Sequence, residues 1–518
     1  MALEAPCHEM RAVLGAGALY VLACREGVAH GRKQEIAVAD PISRLVLESG
    51  VNVGFAKVSF TDSGRGMKGR PGRAERFTVH DDLNARAMFV SGVGGSFCLL
   101  SLDHACLEKS QVVAIKQRIA GETGLDPRHI VTFCSHTHSD FDYWDEDVLT
   151  NRLTQAVCKA RDNVRPTEVG YGETDVGTGV NVNRRVILPN GHGAFCIMYN
   201  TNCTFEGNRL DCTGSVRGQY EALGADWDQL GIREPIYADG PTDTTLNAIV
   251  FREPGGKALG SFVRFSAHAC VVSPRHEHIG NVISADYVGY LTGQVERRLG
   301  GVCLFGNGPC GNLRVLYREN TFAEAERIGT LLARRALQAT DRMSFRPLAQ
   351  AEIRHKQVSL PVTAAFPQSI EEAERRLAAV KDEIEKGKSE NRDVREIKGL
   401  YHHQSFLASK LRLLKGGARN EAFLKECLSG WLTRSIHCVL LGDVALAALP
   451  GEVFTQIGRR IRDEARRERF FVASLANGFM PYLPCGDEYE TGAYEVKESV
   501  LEAGADETLV REVLTLCS

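Results

Sequence analysis

The sequence predicts a mixed α/β (α+β) fold, with layered sheets flanked by helices and an antiparallel helical hairpin that projects from the body. Strand and helix patterns alternate over residues 51–164, and residues 165–260 are rich in short strands. An alternating order of this kind places helices against sheets. Residues 368–428 are instead rich in Glu, Lys, Arg, Leu and Ala, a composition typical of paired helices.

The individual elements follow from hydrophobic periodicity and from turn residues. Residues 51–60 alternate between apolar and polar positions, as a half-buried strand does. Gly124 and Pro127 end the first predicted helix. No internal repeat is visible. Further strands are predicted at 85–93, 97–102, 129–134, 247–251, 259–265 and 301–305, a strand hairpin at 436–449, and helices at 107–124, 148–164, 322–340, 369–387 and 391–414.

The chain has 518 residues, which is more than a single hydrophobic core usually holds. We expect residues 1–50 to form an N-terminal extension. Residues 51–367 and 429–518 are expected to form one main domain, and 368–428 a helical hairpin inserted into it.

Charge and hydropathy exclude two classes of partner. The 62 basic residues are balanced by 65 acidic ones, so no basic excess is present to neutralise nucleic-acid phosphates. No apolar segment approaches the roughly 20 residues of a stable membrane span. Residues 12–24 have the length of a signal peptide, but Glu4 and Glu9 offset Arg11 before them. We therefore expect a cytoplasmic protein, or an exported one if residues 12–24 act as a signal segment.

Histidines that follow strands are the first candidates for chemistry. His136 and His138 come directly after the strand predicted at 129–134, and Asp140 follows them. Side chains two apart on an extended segment point the same way. Imidazole is a common zinc ligand, and a nearby carboxylate can orient it. A pair of loop histidines without a metal is the alternative interpretation.

Two further strand ends carry possible ligands. His268 follows the strand predicted at 259–265, and Glu452 follows a Pro-Gly turn after the hairpin at 436–449. A carboxylate can bind zinc or act as a general base, although each residue alone also suits a structural role. Residues 306–311 match the pattern G-x-G-x-x-G, but the next helix is predicted some ten residues later. A dinucleotide site is therefore not expected.

Together these segments resemble the neutral/alkaline (non-lysosomal) ceramidase family of zinc amide hydrolases. Each motif is short, and their common order over about residues 51–500 makes the resemblance specific. The matching positions are residues 53–58, 80–87, 136–139, 183–184, 265–268, 284–286, 307–308, 311, 449–452, 475–477, 482 and 494.

The resemblance implies a zinc site with a substrate-contacting group beside it. A zinc ion in such a site lowers the pKa of its water and polarises an amide carbonyl. His138, two residues after the implied ligand His136, would then serve as general acid or base. The implied zinc ligands are His136, His268, Glu452 and Tyr482, and the implied substrate-contacting residues are His138, Arg184 and Tyr494.

The sequence departs from the family at three places. Bulky and acidic residues occupy 140–144, where the family has a glycine-rich segment, and Arg314 stands where the family has a serine. Metal-activated water is therefore expected in place of a serine nucleophile. Arg314 could pair with a carboxylate on the substrate or form a structural salt bridge. The chain is also expected to lack the family's C-terminal immunoglobulin-like domain, so a smaller or more polar amide than long-chain ceramide is expected.

Three functions remain open at this point. The first is zinc-dependent hydrolysis of an amide bond in an N-acyl or other small amide. The second is an ester or lactone hydrolase, or a biosynthetic amide-rearranging enzyme, with the same site. The third is a catalytically dead binding or scaffold protein. The expected partner is a small-molecule amide, and a second subunit could dock on the helical hairpin.

Overall fold

The computed structural model describes residues 41–61, 78–140, 146–188, 193–224, 226–273, 278–416 and 421–518. The signal-like segment at 12–24 and most of the bulky segment at 140–144 lie outside these residues. No helix in the described ranges is long and apolar enough to cross a membrane. The cysteines in the same ranges are all free thiols.

The described residues form a mixed α/β structure, which confirms the predicted fold class. The helices are α1 (Lys109–Thr123), α2 (Glu146–Asp162), α3 (Thr213–Ala222), α4 (Asp286–Leu299), α5 (Phe322–Thr340), α6 (Ile370–Ser389), α7 (Val394–Lys415), α8 (Glu421–Ser429), α9 (Thr455–Glu464), α10 (Tyr494–Glu498) and α11 (Ala505–Cys517). The strands are β1 (Ser43–Leu47), β2 (Asn52–Ser59), β3 (Thr78–Val79), β4 (Asn84–Gly92), β5 (Gly95–Leu102), β6 (Ile130–Cys134), β7 (Arg165–Pro166), β8 (Glu168–Asp175), β9 (Asn181–Asn183), β10 (Arg185–Ile187), β11 (Ala194–Cys196), β12 (Thr204–Glu206), β13 (Arg209–Asp211), β14 (Thr245–Arg252), β15 (Ala258–Phe265), β16 (Val282–Ile283), β17 (Val302–Asn307), β18 (Leu313–Val315), β19 (Arg346–Pro347), β20 (Ala351–Pro361), β21 (Trp431–Leu441), β22 (Val444–Ala448) and β23 (Phe470–Ala473).

In all three five-stranded sheets, four of the strands are connected in the same order. Their strand orders are β6-β5-β4-β2-β7 in the first sheet, β17-β15-β14-β8-β19 in the second and β23-β22-β21-β20-β1 in the third. In each, a β-hairpin is followed by a crossover helix and by a strand parallel to the hairpin's second strand. The remaining neighbouring strands pair antiparallel. The repetition lies in the strand pairing and is absent from the residue pattern.

The three sheets pack on one common core. Phe133 from the first sheet lies 5.5 Å from Phe262 of the second, and Phe262 lies 6.0 Å from Phe471 of the third, measured between ring centroids. Helices α1 and α2 cover the other face of the first sheet, α4 and α5 that of the second, and α9 and α11 that of the third. Burying each aromatic side chain contributes about 1.5–3 kcal/mol, so the shared core fixes how the sheets sit together.

Hydrogen bonds to main-chain carbonyls join the edge strands β6, β17 and β23 where they end. Asn307 Nδ2 donates to the carbonyl of Ser135 at 3.1 Å, and the Ser474 amide donates to the carbonyl of Asn307 at 2.7 Å. The Cys134 amide donates to the carbonyl of Leu475 at 3.1 Å, which closes the set. The segments that leave these three strands therefore start from one place.

The predicted helical hairpin is present as α6 and α7, which pack on each other through a small apolar cluster. Ser369 and Asp393 cap the two helices with side-chain oxygens. Residues 43–47, within the predicted N-terminal extension, pair with β20 as the edge of the third sheet. The domain boundaries themselves stay a prediction.

Candidate functional site

His136 occupies a tight turn just after β6. Its φ is +66°, in the left-handed region that residues with a side chain rarely adopt. Its amide donates to the carbonyl of His104 at 2.9 Å, and its Nδ1 lies 2.8 Å from the carbonyl oxygen of Ala105. A carbonyl can only accept, so Nδ1 carries the proton and Nε2 keeps its lone pair.

His268 is held in the same tautomer three residues after β15. Its Nδ1 lies 3.0 Å from the carbonyl oxygen of Cys310 and 2.9 Å from that of Leu313. The Nε2 lone pair therefore faces away from these carbonyls. The residue is fully buried, so this nitrogen is out of contact with bulk solvent.

Glu452 enters the site through the Pro-Gly turn that follows β22. Gly451 has φ +68°, and a Cβ there would lie 2.5 Å from the carbonyl oxygen of Met480. A Cβ on Gly311 would lie 2.4 Å from the carbonyl oxygen of Glu452 itself. Only glycine fits at these two positions, and this close packing fixes the backbone that presents the Glu452 carboxylate.

The three side chains converge on one point. Glu452 Oε2 lies 3.3 Å from His136 Nε2 and 3.0 Å from His268 Nε2. All three atoms are buried and make no hydrogen bond of acceptable geometry. Donors on a tetrahedral zinc with bonds of about 2.0–2.1 Å lie about 3.3 Å apart, which these distances match. Unsatisfied buried polar atoms are costly, so the arrangement fits a bound cation.

The electrostatics of the cluster favour an anionic carboxylate. Burial alone would raise the pKa of Glu452, but the attraction of His136 and His268 holds it well below its usual range. Burial lowers the pKa of His268 to about 4, and the nearby Arg184 charge adds to this effect. Burial opposes protonation of His136 as well, but the Glu452 charge prevails and raises the pKa of His136.

His138 lies beside the cluster and is less buried than its neighbours. Its ring centroid is 5.0 Å from that of His136 and 5.6 Å from that of His268. Candidate donor atoms of these three histidines lie within 4.8 Å of one another, so a three-histidine group could also hold a metal. His136 and His138 follow β6 in a turn, and this turn brings their rings together. The sequence had instead predicted an extended segment with both side chains on one face.

An arginine and a tyrosine form the second half of the site. Arg184 is buried, and its Nη2 donates to Tyr482 Oη at 3.1 Å and to the carbonyl of Gly311 at 2.8 Å. Its Nε donates to Glu495 Oε1 at 2.8 Å. Burial and the Glu452 charge raise the pKa of Tyr482 well above its usual value, so the phenol is neutral in this arrangement.

Tyr494 packs against the same pair. Its ring centroid lies 5.7 Å from that of Tyr482, and the Arg184 guanidinium carbon lies 5.9 Å from its ring. The neighbouring Glu495 is fully buried between Arg184 and Arg185, whose Nη1 donates to Glu495 Oε2 at 3.1 Å. The structure thus brings Arg184 and Tyr494, two of the implied substrate-contacting residues, into one cluster with Tyr482, which is an implied zinc ligand.

Two residues singled out from the sequence have other contacts. Asp140 Oδ2 accepts the Ala105 amide at 2.7 Å and lies 3.2 Å from His104 Nδ1, so it supports the carbonyl that orients His136. Arg314 is buried and donates to the carbonyls of Ile197 and Val315 and to a side-chain oxygen of Asn200. No carboxylate in the described ranges lies within ion-pair distance of Arg314, and the expected salt bridge is absent there.

Sequence reasoning missed the groups that hold the site residues. Glu495 carries no motif, because its partners Arg184 and Arg185 lie far away in the chain. Two adjacent arginines that become buried need a carboxylate partner. The pair Arg184 and Arg185 was therefore the signal in the sequence that pointed to a carboxylate such as Glu495. Ala105 acts through its main chain, which no residue pattern reveals.

The comparisons with known proteins concern the fold. No model of a protein family matches the sequence. The crystal structure of a neutral ceramidase from Pseudomonas aeruginosa aligns with a TM-score of 0.59 at 14% identity, over 90% of this chain and 74% of that chain. A ceramidase complexed with C2 aligns equally well, over 90% of this chain and 75% of its own. The chain therefore has a ceramidase-like fold, as the sequence resemblance implied.

Proposed function

We propose that this chain is a zinc-dependent hydrolase that cleaves the amide bond of an N-acyl or other small amide. The convergence of three unpartnered buried atoms, His136 Nε2, His268 Nε2 and Glu452 Oε2, is the observation that carries the proposal. The ceramidase-like fold adds support, since its structural neighbours are named as ceramidases.

Zinc is the proposed ion because the donors are two imidazoles and one carboxylate, a set typical of catalytic zinc sites. His136, His268 and Glu452 would hold it, with Tyr482 as a fourth ligand. Bound zinc supplies Lewis-acid polarisation of a carbonyl and a water of lowered pKa. The buried surroundings of the donors exclude other water and strengthen each electrostatic interaction.

The residues around the donors are assigned the proton transfer and the stabilisation of the reacting carbonyl oxygen. His138 is exposed enough to meet a substrate, and we assign it the proton transfer to the leaving amine. Arg184 keeps a full positive charge beside the donors and favours negative charge on the reacting carbonyl oxygen. Tyr494 is assigned a hydrogen bond to the same oxygen, and Arg184 holds Tyr482 in place through the hydrogen bond between them.

The decisive experiment is elemental analysis of the purified protein, followed by a substrate screen. We expect about one zinc per chain, and release of free amine from short N-acyl amides by the zinc-loaded protein only. Matched esters and lactones in the same screen test the second function. A protein that binds no zinc even after reconstitution would contradict the proposal and favour a binding or scaffold role.

A further inference from the structure

The second helix of the hairpin, α7, packs against the short helix α10, which carries Tyr494 at its start. Ser409 Oγ donates to Glu498 Oε2 at 2.7 Å. Lys410 Nζ donates to the carbonyl of Lys497 at 2.9 Å, and the Lys410 side chain is only 1% exposed. A buried ammonium group needs such an acceptor, so these contacts tie the end of α10 firmly to the hairpin.

The start of α10 meets the same helix through His402. The Ala493 amide approaches His402 Nδ1 at 3.5 Å. A Cβ on Gly492 would lie 2.1 Å from the same nitrogen, so the imidazole fills the space that a side chain at 492 would need. The imidazole therefore lies directly against the turn that leads into Tyr494.

Lys398 extends the contact by one further helical turn. Its Nζ donates to the carbonyl of Ala194 at 3.1 Å and lies 4.5 Å from the centre of the Phe195 ring. The Ala194 amide in turn donates to the carbonyl of Thr491 at 2.9 Å, just before the turn. Residues 398, 402 and 409 are spaced by four and seven positions, which places them on one side of α7.

The turn that these contacts enclose is strained. Ala493 has φ +74° and ψ −172°, a combination that is almost restricted to glycine. Such a residue is strained and persists only where its surroundings hold it. The next two residues are Tyr494 and Glu495, and Glu495 binds Arg184. A relaxation at Ala493 would therefore move both substrate-side groups.

We propose that α7 holds the strained turn at Ala493 and thereby positions Tyr494 and Arg184 for the reaction, with His402 as the positioning residue. This inference rests on the proposed amide hydrolysis for its kinetic part only. It gives the helical hairpin a role within the chain, in place of a solvated arm or a surface for a second subunit.

The first variant is His402→Ala, compared with the wild type for zinc content, kcat, KM and hydrogen exchange. The amides of Lys497 and Ser499 bond to the carbonyls of Ala493 and Glu495, and they report on the turn and on α10. We expect these amides to exchange at least about tenfold faster, with or without zinc. We expect kcat to fall about tenfold, because small misplacements of reacting groups are costly, while zinc content stays unchanged.

The second variant is the double substitution His402→Ala with Ala493→Gly. Glycine adopts a positive φ without the Cβ penalty, so the turn should keep its conformation without His402. We expect kcat to return to within about threefold of the wild type, as the cost of a misplaced group is removed. A residue that merely stabilises the fold would not be rescued at position 493.

His403→Ala is the matched control, because it removes an adjacent imidazole from the same helix. Burial and then the Arg376 charge on α6 lower the pKa of His403, which places this side chain near the first helix of the hairpin. The exchange of Lys497 and Ser499 should stay within about twofold of the wild type there. Equal acceleration in both variants, or none in His402→Ala, would overturn the inference. If no amide is hydrolysed, the proposed function fails and the exchange data still decide the positioning role.

Discussion

The two halves of the candidate site are built in different ways. His136, His268 and Glu452 each follow a strand of a different sheet, and main-chain carbonyls orient both imidazoles. Arg184 and Tyr494 instead depend on Glu495 and on a turn outside the three sheets. The donor half is therefore fixed by the backbone, and the arginine–tyrosine half is fixed by side-chain contacts that span the chain.

This difference separates the proposed metal binding from the proposed contacts to the reacting carbonyl oxygen. A main-chain carbonyl stays in place when the side chain of its own residue is substituted. The geometry of the donors therefore survives changes in the surrounding sequence. A buried ion pair depends on both of its side chains, and removing one leaves an uncompensated charge. We expect substitutions of His136, His268 or Glu452 to abolish metal binding, and substitutions of Tyr494 or Glu495 to leave the metal in place.

The largest effect is expected from His136→Ala or Glu452→Ala. Loss of one donor should remove the zinc and lower kcat/KM by at least about a thousandfold, since the metal supplies several kcal/mol of stabilisation. Elemental analysis and amine release measure the two effects. His129→Ala, just before the start of β6, should leave both unchanged. Full zinc content in either donor variant would contradict the assignment.

The second effect concerns Glu495, the carboxylate that Arg184 and Arg185 share. Burial alone would raise the pKa of Glu495, but the two guanidinium groups hold it below its usual value of 4.5. Glu495→Gln should lower the free energy of unfolding by about 3–5 kcal/mol in urea titrations, with zinc retained. The exposed Glu490→Gln should change it by less than about 0.5 kcal/mol.

The pH dependence of this ion pair has a definite sign. A lowered pKa in the folded state means that the stabilisation is complete above pH 4.5 and is lost as the pH falls further. We expect the difference in unfolding free energy between wild type and Glu495→Gln to shrink below that pH. A difference that stays constant from pH 7 to pH 3 would show that Glu495 acts through its shape and not its charge.

A third variant, His138→Gln, tests whether His138 transfers protons or binds the metal. If His138 transfers protons, zinc should stay bound while kcat falls about a hundredfold, within the range typical of general acid–base catalysis. The pH–rate profile should also lose one limb. Loss of zinc would instead make His138 the third ligand, in line with the three-histidine group, and would release Glu452 for another role.

The smallest effect is expected from Tyr494→Phe, which removes one hydroxyl and leaves the ring. A single donor shared with Arg184 should be worth about tenfold in kcat, with KM and zinc content nearly unchanged. Steady-state kinetics on one short amide suffice to measure it. An unchanged kcat would restrict Tyr494 to packing against Tyr482.

Much of the fold followed from periodicity, and the exceptions have physical reasons. The hairpins and the helix pair at 369–414 carry clear patterns, and the structure confirms them. Strand β20 escaped notice because it carries Glu352, Arg354 and Lys356 in the middle of a sheet. Glu352 pairs with Arg44 of β1 and with Arg354 of β20 itself, and Lys356 pairs with Glu512 on α11. A central strand with such partners does not look like a buried strand in sequence.

The candidate site likewise contains residues that the sequence pointed to and residues that it did not. The donors were predictable because a strand that ends in histidine or in Pro-Gly-Glu leaves a local signal. The groups that hold Tyr494 and Arg184 were not predictable, since His402 acts on the distant Ala493 and Glu495 acts on the distant Arg184. The shared connectivity of the three sheets is likewise a property of backbone pairing and leaves no repeat in the residue pattern.

The shared connectivity also sets the order in which a ribosome can complete this protein. Each sheet closes with its own crossover helix, and each supplies one donor. A nascent chain that has released the first two sheets holds His136 and His268 but not Glu452. Strand β1, made first, waits unpaired until β20 emerges. Tight binding of the proposed zinc therefore requires the third sheet, and a chain that stops before this sheet would be left with a weak site and an unpaired edge at β1.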